Sequence, residues 1–186
     1  MSYTEFVRAT LDDLDPVTEL MRRVTATLST NGIIQWDAQY PSRAFLRDAI
    51  TDGNLFLLTA NGSIVGMVVL DEWQAPQWAS VPWSSRDASV LVIHALAVDP
   101  SVQGQGYGVA LLQHCEHFAQ QQGYEALRLD VYAGNPTALR LYEARGYVYC
   151  GTVNFPSKPV GHQAYRCYEK ALTHEGRHHC LSRQVN

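Results

Sequence analysis

Residues 102–110 read VQGQGYGVA and carry three glycines where an apolar segment, Ser89–Val98, gives way to an amphipathic segment that begins at Tyr107. Glycine lets the backbone approach a ligand closely. The N-terminus of the following helix offers unpaired N–H groups and the positive end of the helix dipole. A buried strand, a glycine-rich turn and a helix in this order are therefore typical of a phosphate-binding loop.

Three kinds of phosphate-binding loop compete for this stretch. A P-loop requires a lysine, and residues 102–110 contain none. A dinucleotide-binding fingerprint requires a third glycine where Val109 stands. The third pattern, Gln/Arg-x-x-Gly-x-Gly/Ala, is met by Gln103, Gly106 and Gly108. A glycine cluster alone would suit a structural turn equally well, but its position between a strand and a helix favours the phosphate loop.

The hydrophobic periodicity along the chain predicts alternating strands and helices. The predicted helices cover about 12–29, 43–51, 107–122 and 136–145. The predicted strands cover about 4–9, 54–59, 64–70, 89–98, 127–132, 147–153 and 164–171. We expect an α+β fold with a mixed, mostly antiparallel central sheet flanked by about four helices, because hairpins and crossovers both occur. It would form a single domain over residues 1–172, followed by a polar, flexible tail over 173–186.

Composition excludes several classes of protein. The 186 residues carry a formal net charge of −4, with no basic cluster of the kind that a nucleic-acid or anionic-membrane binder needs. No apolar run is long enough to cross a membrane, and no secretory signal is visible. The four cysteines lack CxxC spacing, and the histidines and cysteine of the tail match no closed metal site. We therefore expect a cytoplasmic protein without a metal.

Two further stretches accompany the glycine loop. Residues 94–100 read HALAVDP, and residues 135–147 read NPTALRLYEARGY. Together with the loop they resemble the GNAT superfamily of N-acetyltransferases, and the resemblance extends over the element order from Thr4 to about Leu172. It implies a sheet that is splayed at an acetyl-CoA site, and an enzyme that uses acetyl-CoA as co-substrate. Family members are often dimers, so the resemblance is compatible with a homodimer, although the sequence does not itself indicate the oligomeric state.

The resemblance further implies which residues hold the cofactor. The backbone of Leu96, Ala97 and Val98 would pair with the pantetheine arm as an added strand does. Asn135 and Tyr142 would face the thiol end. The pyrophosphate would be held by the main-chain amides of Gln103, Gly104, Gln105, Gly106, Tyr107 and Gly108.

Acetyl transfer to an amine needs a neutral amine, stabilisation of an oxyanion and a proton for the departing thiolate. The family places a tyrosine at the position of Tyr142 as general acid, and a phenol is protonated at neutral pH. The alternative for Tyr142 is that it only packs its helix on the sheet.

His94 is the candidate base, since histidine titrates close to neutral pH. Many family members carry a glutamate near this position, so the histidine departs from the pattern. Period-two alternation predicts that His94 shares a strand face with Leu96 and Val98. A buried histidine that only forms a hydrogen bond is the competing interpretation, and Glu72 and Asp130 are weaker candidates for the base.

The acceptor side is predicted from aromatic residues in two loops. Trp36 and Tyr40 lie between the first two helices, in a segment that lines the acceptor side in this family, and we expect them to shape a pocket for a small amine. The long loop 71–87 carries three further tryptophans, for which a small core beneath the loop is the expected role. Cys115 and Cys150 are expected in the core, which favours direct transfer. The alternative function is a non-catalytic module that binds acyl-CoA.

Overall fold

The computed structural model describes residues 3–37 and 39–172. Its strands are Thr4–Arg8 (β1), Leu55–Ala60 (β2), Ser63–Asp71 (β3), Val90–Val98 (β4), Ala126–Tyr132 (β5), Val148–Asn154 (β6) and Ala164–Ala171 (β7). Its α-helices are Leu14–Thr30 (α1), Arg43–Thr51 (α2), Tyr107–Gln121 (α3) and Pro136–Ala144 (α4). The predicted tail over 173–186 lies outside the described residues.

Within the described residues the seven strands form one sheet in the order β1-β2-β3-β4-β5-β7-β6. Neighbouring strands are antiparallel except β4 and β5, which are parallel. The parallel pair arises because α3 provides the crossover between the two strands, whereas β2 and β3 are joined by a hairpin. This confirms the predicted mixed, mostly antiparallel sheet with four helices.

The β2–β3 hairpin follows directly from its turn residues. Asn61 and Gly62 have φ angles of 50° and 79°, both in the left-handed region. A two-residue hairpin turn with positive φ at both positions matches the twist of the flanking strands, and Asn-Gly adopts it at low cost. The turn brings Ala60 opposite Ser63 and sets the register of the hairpin.

Helices cover both faces of the sheet. On one face, α3 buries Leu111, Leu112, Cys115 and Ala119, which recur at helical spacing and pack against the central strands. On the other face, α1 and α2 bury a second apolar cluster that includes Val17, Leu20, Met21, Val24, Leu46, Ala49 and Ile50. The sheet is therefore enclosed, which explains why β4 is apolar nearly throughout.

A β-bulge interrupts β4 and corrects one expectation from the sequence. Ala95 has φ of 49°, and the register with β3 shifts so that Met67 pairs with Ala97 whereas Val69 pairs with His94. A bulge adds one residue to a strand, so the alternation of side chains reverses beyond it. His94 therefore lies on the face of its partner Val69, whereas Leu96 packs against the α3 core on the opposite face. The prediction that His94 shares a face with Leu96 and Val98 is wrong.

The strands β4 and β5 separate soon after they meet. Their parallel pairing covers only Val90–Val92 opposite Ala126–Arg128. Beyond Val92, β4 has no paired strand on this side among the described residues. The sheet thus opens into a cleft at its centre, as expected.

The loop between β3 and β4 is held against the sheet by a buried ion pair. Arg128 Nε donates to Glu169 at 2.8 Å, and the Arg128 guanidinium lies 4.4 Å from the centre of the Trp83 ring. Glu169 also accepts hydrogen bonds from the main-chain N–H groups of Ser84 and Ser85, both at 3.1 Å. Because both charged groups have hydrogen-bond partners, the cost of removing them from water is offset, and the ion pair anchors the loop to the sheet.

Candidate active site

A cavity of about 970 Å³ fills the cleft between β4 and β5. One part, the glycine-loop side, is bounded by Gln103–Gly108 and the end of β4. The other part, the aromatic side, contains Trp36, Tyr40, Trp73, Tyr132 and Tyr165. The separated strands supply the walls, so the cavity depends on the opening in the sheet.

The glycine-loop side presents main chain. Gly104 and Gly106 have φ angles of 80° and 87°, and Gly106 lies immediately before the first residue of α3. Residues with side chains rarely adopt this conformation. Within the described part of the chain, no side chain caps the start of α3, so its first N–H groups are available for an anion.

The predicted cofactor-binding residues come together around this side. Leu96, Ala97 and Val98 line the cavity on the unpaired edge of β4. All predicted loop residues line it except Gln105, whose side chain is exposed. The Gln103 amide donates to the Val98 carbonyl at 3.3 Å, so this side chain ties the loop to the strand.

Asn135 and Tyr142 line the cavity from the α4 side. Asn135 is buried; its Oδ1 accepts from Ala138 N at 3.1 Å and caps α4, while its Nδ2 donates to Gln35 Oε1 at 3.0 Å. The amide of Asn135 thus positions the helix and the α1–α2 loop. Tyr142 is also buried, and burial raises the pKa of its phenol, which keeps the hydroxyl protonated and able to donate.

His94 faces the cavity and is paired with a carboxylate. Its Nε2 lies 3.1 Å from Asp71 Oδ1, and its ring centre lies 5.9 Å from that of Trp73. A neutral histidine that donates from Nε2 to Asp71 keeps its lone pair on Nδ1. Asp71 therefore selects the tautomer and orients the ring.

Asp130 lies on β5, across the cleft from His94. Trp78 Nε1 donates to its Oδ2 at 3.0 Å, and burial raises the pKa of Asp130 to about 6. The Trp78 hydrogen bond opposes this shift because it favours the charged form. A buried carboxyl that titrates near neutral pH in a cavity is a candidate for proton transfer or cation binding. Its position makes Asp130 a stronger site residue than the sequence suggested.

Glu72, the other alternative base, lies elsewhere. Its side chain is exposed and accepts a hydrogen bond from the Tyr124 hydroxyl at 2.7 Å, outside the residues that line the cavity. Trp78 and Trp83 are buried beneath the β3–β4 loop with their ring centres 5.1 Å apart. The small core expected under this loop is therefore present, and Trp73 alone of the loop's three tryptophans lines the cavity.

The aromatic side joins two loops that are distant in sequence. Trp36 and Tyr40, predicted to contact the acceptor, both line it. The Lys158 ammonium lies 4.9 Å from the centre of the Tyr40 ring and donates to the Gln35 carbonyl at 3.0 Å. The Tyr165 hydroxyl donates to the same carbonyl at 3.3 Å. Gln35, itself buried, thus connects the α1–α2 loop with β7 and the β6–β7 loop.

Residues 18–147 match the family model described as the acetyltransferase (GNAT) family. The chain belongs to this family. Its members are acetyltransferases, so the chain is an enzyme of this kind, and the family generally uses acetyl-CoA. The cleft between β4 and β5 is therefore the candidate active site of a GNAT acetyltransferase.

Several known proteins are similar to this GNAT acetyltransferase. The uncharacterised N-acetyltransferase YesJ of Bacillus subtilis is 25% identical over 176 residues, which cover 90% of this chain and 89% of YesJ. The ribosomal protein bS18-alanine N-acetyltransferase of Escherichia coli is 34% identical over 96 residues, or 50% of this chain and 53% of that protein. The crystal structure of a GNAT acetyltransferase from Streptococcus agalactiae superposes with a TM-score of 0.80 at 19% identity, and covers 93% of this chain and 99% of that one.

Some cavity residues of this acetyltransferase carry no local signal in the sequence. Gln35, Lys158 and Tyr165 belong to no motif, and they meet only because β7 and the α1–α2 loop come together in the fold. The single usable clue was compositional, because Lys158 is one of only two lysines in the chain. The alternation and spacing of residues in the sequence do not show that Gln35, Lys158 and Tyr165 line the cavity.

Two kinds of feature are absent from the described residues. No group of three or more His, Cys, Asp or Glu side chains there could hold a metal ion. Among the same residues, no helix combines the length and apolarity needed to cross a bilayer.

Proposed function

We propose that this enzyme transfers an acetyl group from acetyl-CoA directly to the amine of a small molecule. The observation that carries the proposal is the cleft between β4 and β5, where an uncapped helix start and an unpaired strand edge share one cavity with Tyr142, His94 and Asp130. The first two features suit a phosphorylated, amide-containing cofactor. The three side chains suit proton transfer at its reactive end.

The residues of the glycine-loop side fit acetyl-CoA. The start of α3 would bind the pyrophosphate through main-chain N–H groups, because an anion there is stabilised by the helix dipole. The edge of Leu96–Val98 would pair with the amides of the pantetheine arm. Acetyl-CoA supplies the thioester whose acetyl group moves to the amine nitrogen, so that an N–C bond forms as the C–S bond breaks.

Three side chains divide the proton chemistry. The Asp130 carboxylate holds the incoming ammonium by charge, and His94 accepts a proton from it at Nδ1, with Asp71 holding the opposite nitrogen. Tyr142 donates its phenolic proton to the departing sulfur. The acetylated nitrogen then loses its second proton, which returns to the Tyr142 oxygen, and His94 releases its own proton to solvent. A general acid must be protonated before it acts, and burial of Tyr142 maintains that state.

Direct transfer is supported by the state of the cysteines. Cys115 and Cys167 are buried, and burial raises the pKa of both thiols, so neither is a ready thiolate nucleophile. Cys150, predicted in the core, is only partly buried, and it lies outside the residues that line the cavity. Among the described residues, no cysteine is therefore both activated and placed in the cavity to carry the acetyl group, which supports direct transfer.

A small acceptor is favoured by the hydrogen bonds on the aromatic side. Two loops are tied together at Gln35, and the His162 ring adds a contact from Nε2 to the Gly32 carbonyl at 3.1 Å while it stacks on Tyr132. These contacts bridge the α1–α2 loop and the β6–β7 loop, so an extended peptide that crossed the aromatic side between the two loops would have to break them. The E. coli relative that modifies a ribosomal protein makes a protein acceptor the main alternative.

The test combines binding and turnover. Titration calorimetry measures acetyl-CoA binding to the full chain, and a thiol-release assay then measures turnover over a panel of small amines and a panel of peptides. We expect turnover with small amines. Turnover confined to peptides would overturn the small acceptor, and binding of acetyl-CoA without turnover in either panel would favour the non-catalytic module.

A further inference from the structure

Lys158 is the one lysine or arginine among the described residues that line the cavity. It lies in the β6–β7 loop on the aromatic side and is half-buried. The other charged or titratable groups there, apart from tyrosines, are Asp71, His94 and Asp130. The site is thus acidic at the strands and basic at this one loop.

The surroundings of Lys158 leave its charge without a direct counterion. Its ammonium donates to the Gln35 carbonyl and lies over the Tyr40 ring, but no carboxylate of the described residues lies within 4.0 Å of it. Lys170, by contrast, lies 2.9 Å from Glu116 Oε1. Burial lowers the pKa of Lys158, while Asp37 and Asp130 oppose the shift from a distance. A desolvated ammonium of this kind gains from an anion that enters the cavity.

Lys158 and Asp130 carry opposite charges on the same cavity. They are close enough for each to shift the pKa of the other in favour of its charged form. A ligand that satisfies both needs a cationic group for Asp130 and an anionic group for Lys158. A free amino acid has both on one small framework, whereas the N-terminus of a protein has only the cation.

We propose that the acceptor is a small amino-carboxylate, of the amino acid class, whose carboxylate pairs with Lys158 while its amine is held at Asp130. The aromatic side then contacts the side chain of the acceptor. This inference rests on the proposed function, since it names the class of amine that the same site acetylates. A charge-assisted hydrogen bond from lysine to carboxylate makes the carboxylate a determinant of specificity.

The experiment compares acceptors that differ only in this charge. Thiol release is measured with amino acids, with their α-amides and with the corresponding amines that lack the carboxylate. The wild type is expected to favour the acids in kcat/KM by about ten- to a hundredfold. Lys158→Gln keeps a donor for the Gln35 carbonyl but removes the charge, and should abolish this preference through a higher KM for the acids alone. Lys158→Arg should retain it.

Arg47→Gln is the matched control for net charge, because Arg47 is exposed on α2 and, among the described residues, forms an ion pair only with its neighbour Asp48. It should leave the preference unchanged. Equal loss of activity toward acids and amides in Lys158→Gln would show a purely structural role and overturn the proposal, as would a wild type that does not prefer acids. Absence of turnover with every acceptor would instead count against the proposed function itself.

Discussion

The glycine-loop side of the cavity presents main-chain groups, whereas the aromatic side presents side chains from segments far apart in sequence. Gly104, Gly106 and the start of α3 lie within a few residues of one another. On the aromatic side, Gln35 meets Lys158 across 123 positions and Asn135 across 100. Local sequence therefore builds one side, and the tertiary fold builds the other.

This difference predicts different responses to substitution. Binding by main chain depends on φ and ψ, so it tolerates changes of side chain but not the loss of a left-handed glycine. Binding by side chains depends on each functional group and on the contacts that hold it. A family can thus keep its cofactor site while its acceptor changes, because the glycine loop binds through main chain whereas an acceptor site depends on particular side chains.

The largest effect is expected at Tyr142, because its proposed role as general acid depends on its hydroxyl. Tyr142→Phe should lower kcat by about a hundred- to ten-thousandfold, the usual contribution of a general acid, with little change in acetyl-CoA affinity. Steady-state kinetics and calorimetry measure the two. Tyr147→Phe is the control, because this buried ring lies 5.7 Å from that of Tyr142 but outside the cavity lining. Unchanged kcat in Tyr142→Phe would remove the residue from the chemistry.

A substitution at Asp130 tests whether a buried carboxyl in the cavity lowers the stability of the folded protein. Burial raises its pKa from 3.8 to about 6, so the folded state binds its proton more tightly than the unfolded state. The stabilisation from this group is present below about pH 3.8 and is lost as the pH rises through 6. Relative to wild type, Asp130→Asn should gain up to about 3 kcal/mol in free energy of unfolding between pH 4 and pH 7.

Urea unfolding at both pH values measures this difference. Asp48→Asn, an exposed carboxyl on α2, serves as the control and should show little pH-dependent gain. A free-energy difference between Asp130→Asn and wild type that stays constant with pH would mean that Asp130 is not held in a desolvated site.

His94 should show its role in the rate of acetyl transfer. His94→Gln retains a group that can donate to Asp71 but cannot accept the amine proton. We expect kcat/KM to fall by about a hundredfold at neutral pH, as measured by steady-state kinetics. Glu72→Gln is the control, since Glu72 lies outside the cavity. An unchanged kcat/KM in His94→Gln would exclude His94 as the base.

The smallest effect is expected from the backbone of the glycine loop. Gly106→Ala places a side chain at φ of 87°, which costs about 1–2 kcal/mol, and should weaken acetyl-CoA binding by about tenfold. Gly123→Ala is matched, with φ of 83° at the end of α3 and away from the loop. It should lower stability without changing the affinity for acetyl-CoA. Equal affinities in both variants would show that the loop does not bind through its backbone conformation.

Much of the fold was predictable because its signals are local. The Asn61-Gly62 turn, the apolar spacing of α3 and the bounds of β7 depend on neighbours within a few residues, and their predicted ranges agree closely with those observed. The face of His94 was not predictable from alternation. The bulge at Ala95 appears in the pairing of β4 with β3, and the alternation of apolar and polar residues in the sequence does not reveal it.

The element order and the glycine loop are predictable from sequence, because glycine conformation, turn chemistry and hydrophobic periodicity act over short distances, and the family is predictable from the resemblance of three short motifs. The separation of β4 and β5 after Val92, the burial of the Asp130 carboxyl in the cleft and the position of Lys158 on the aromatic side depend on the tertiary structure. The physical reason is that burial and electrostatic coupling depend on what packs around a side chain. For these residues, the surroundings come from strands and loops more than thirty residues away.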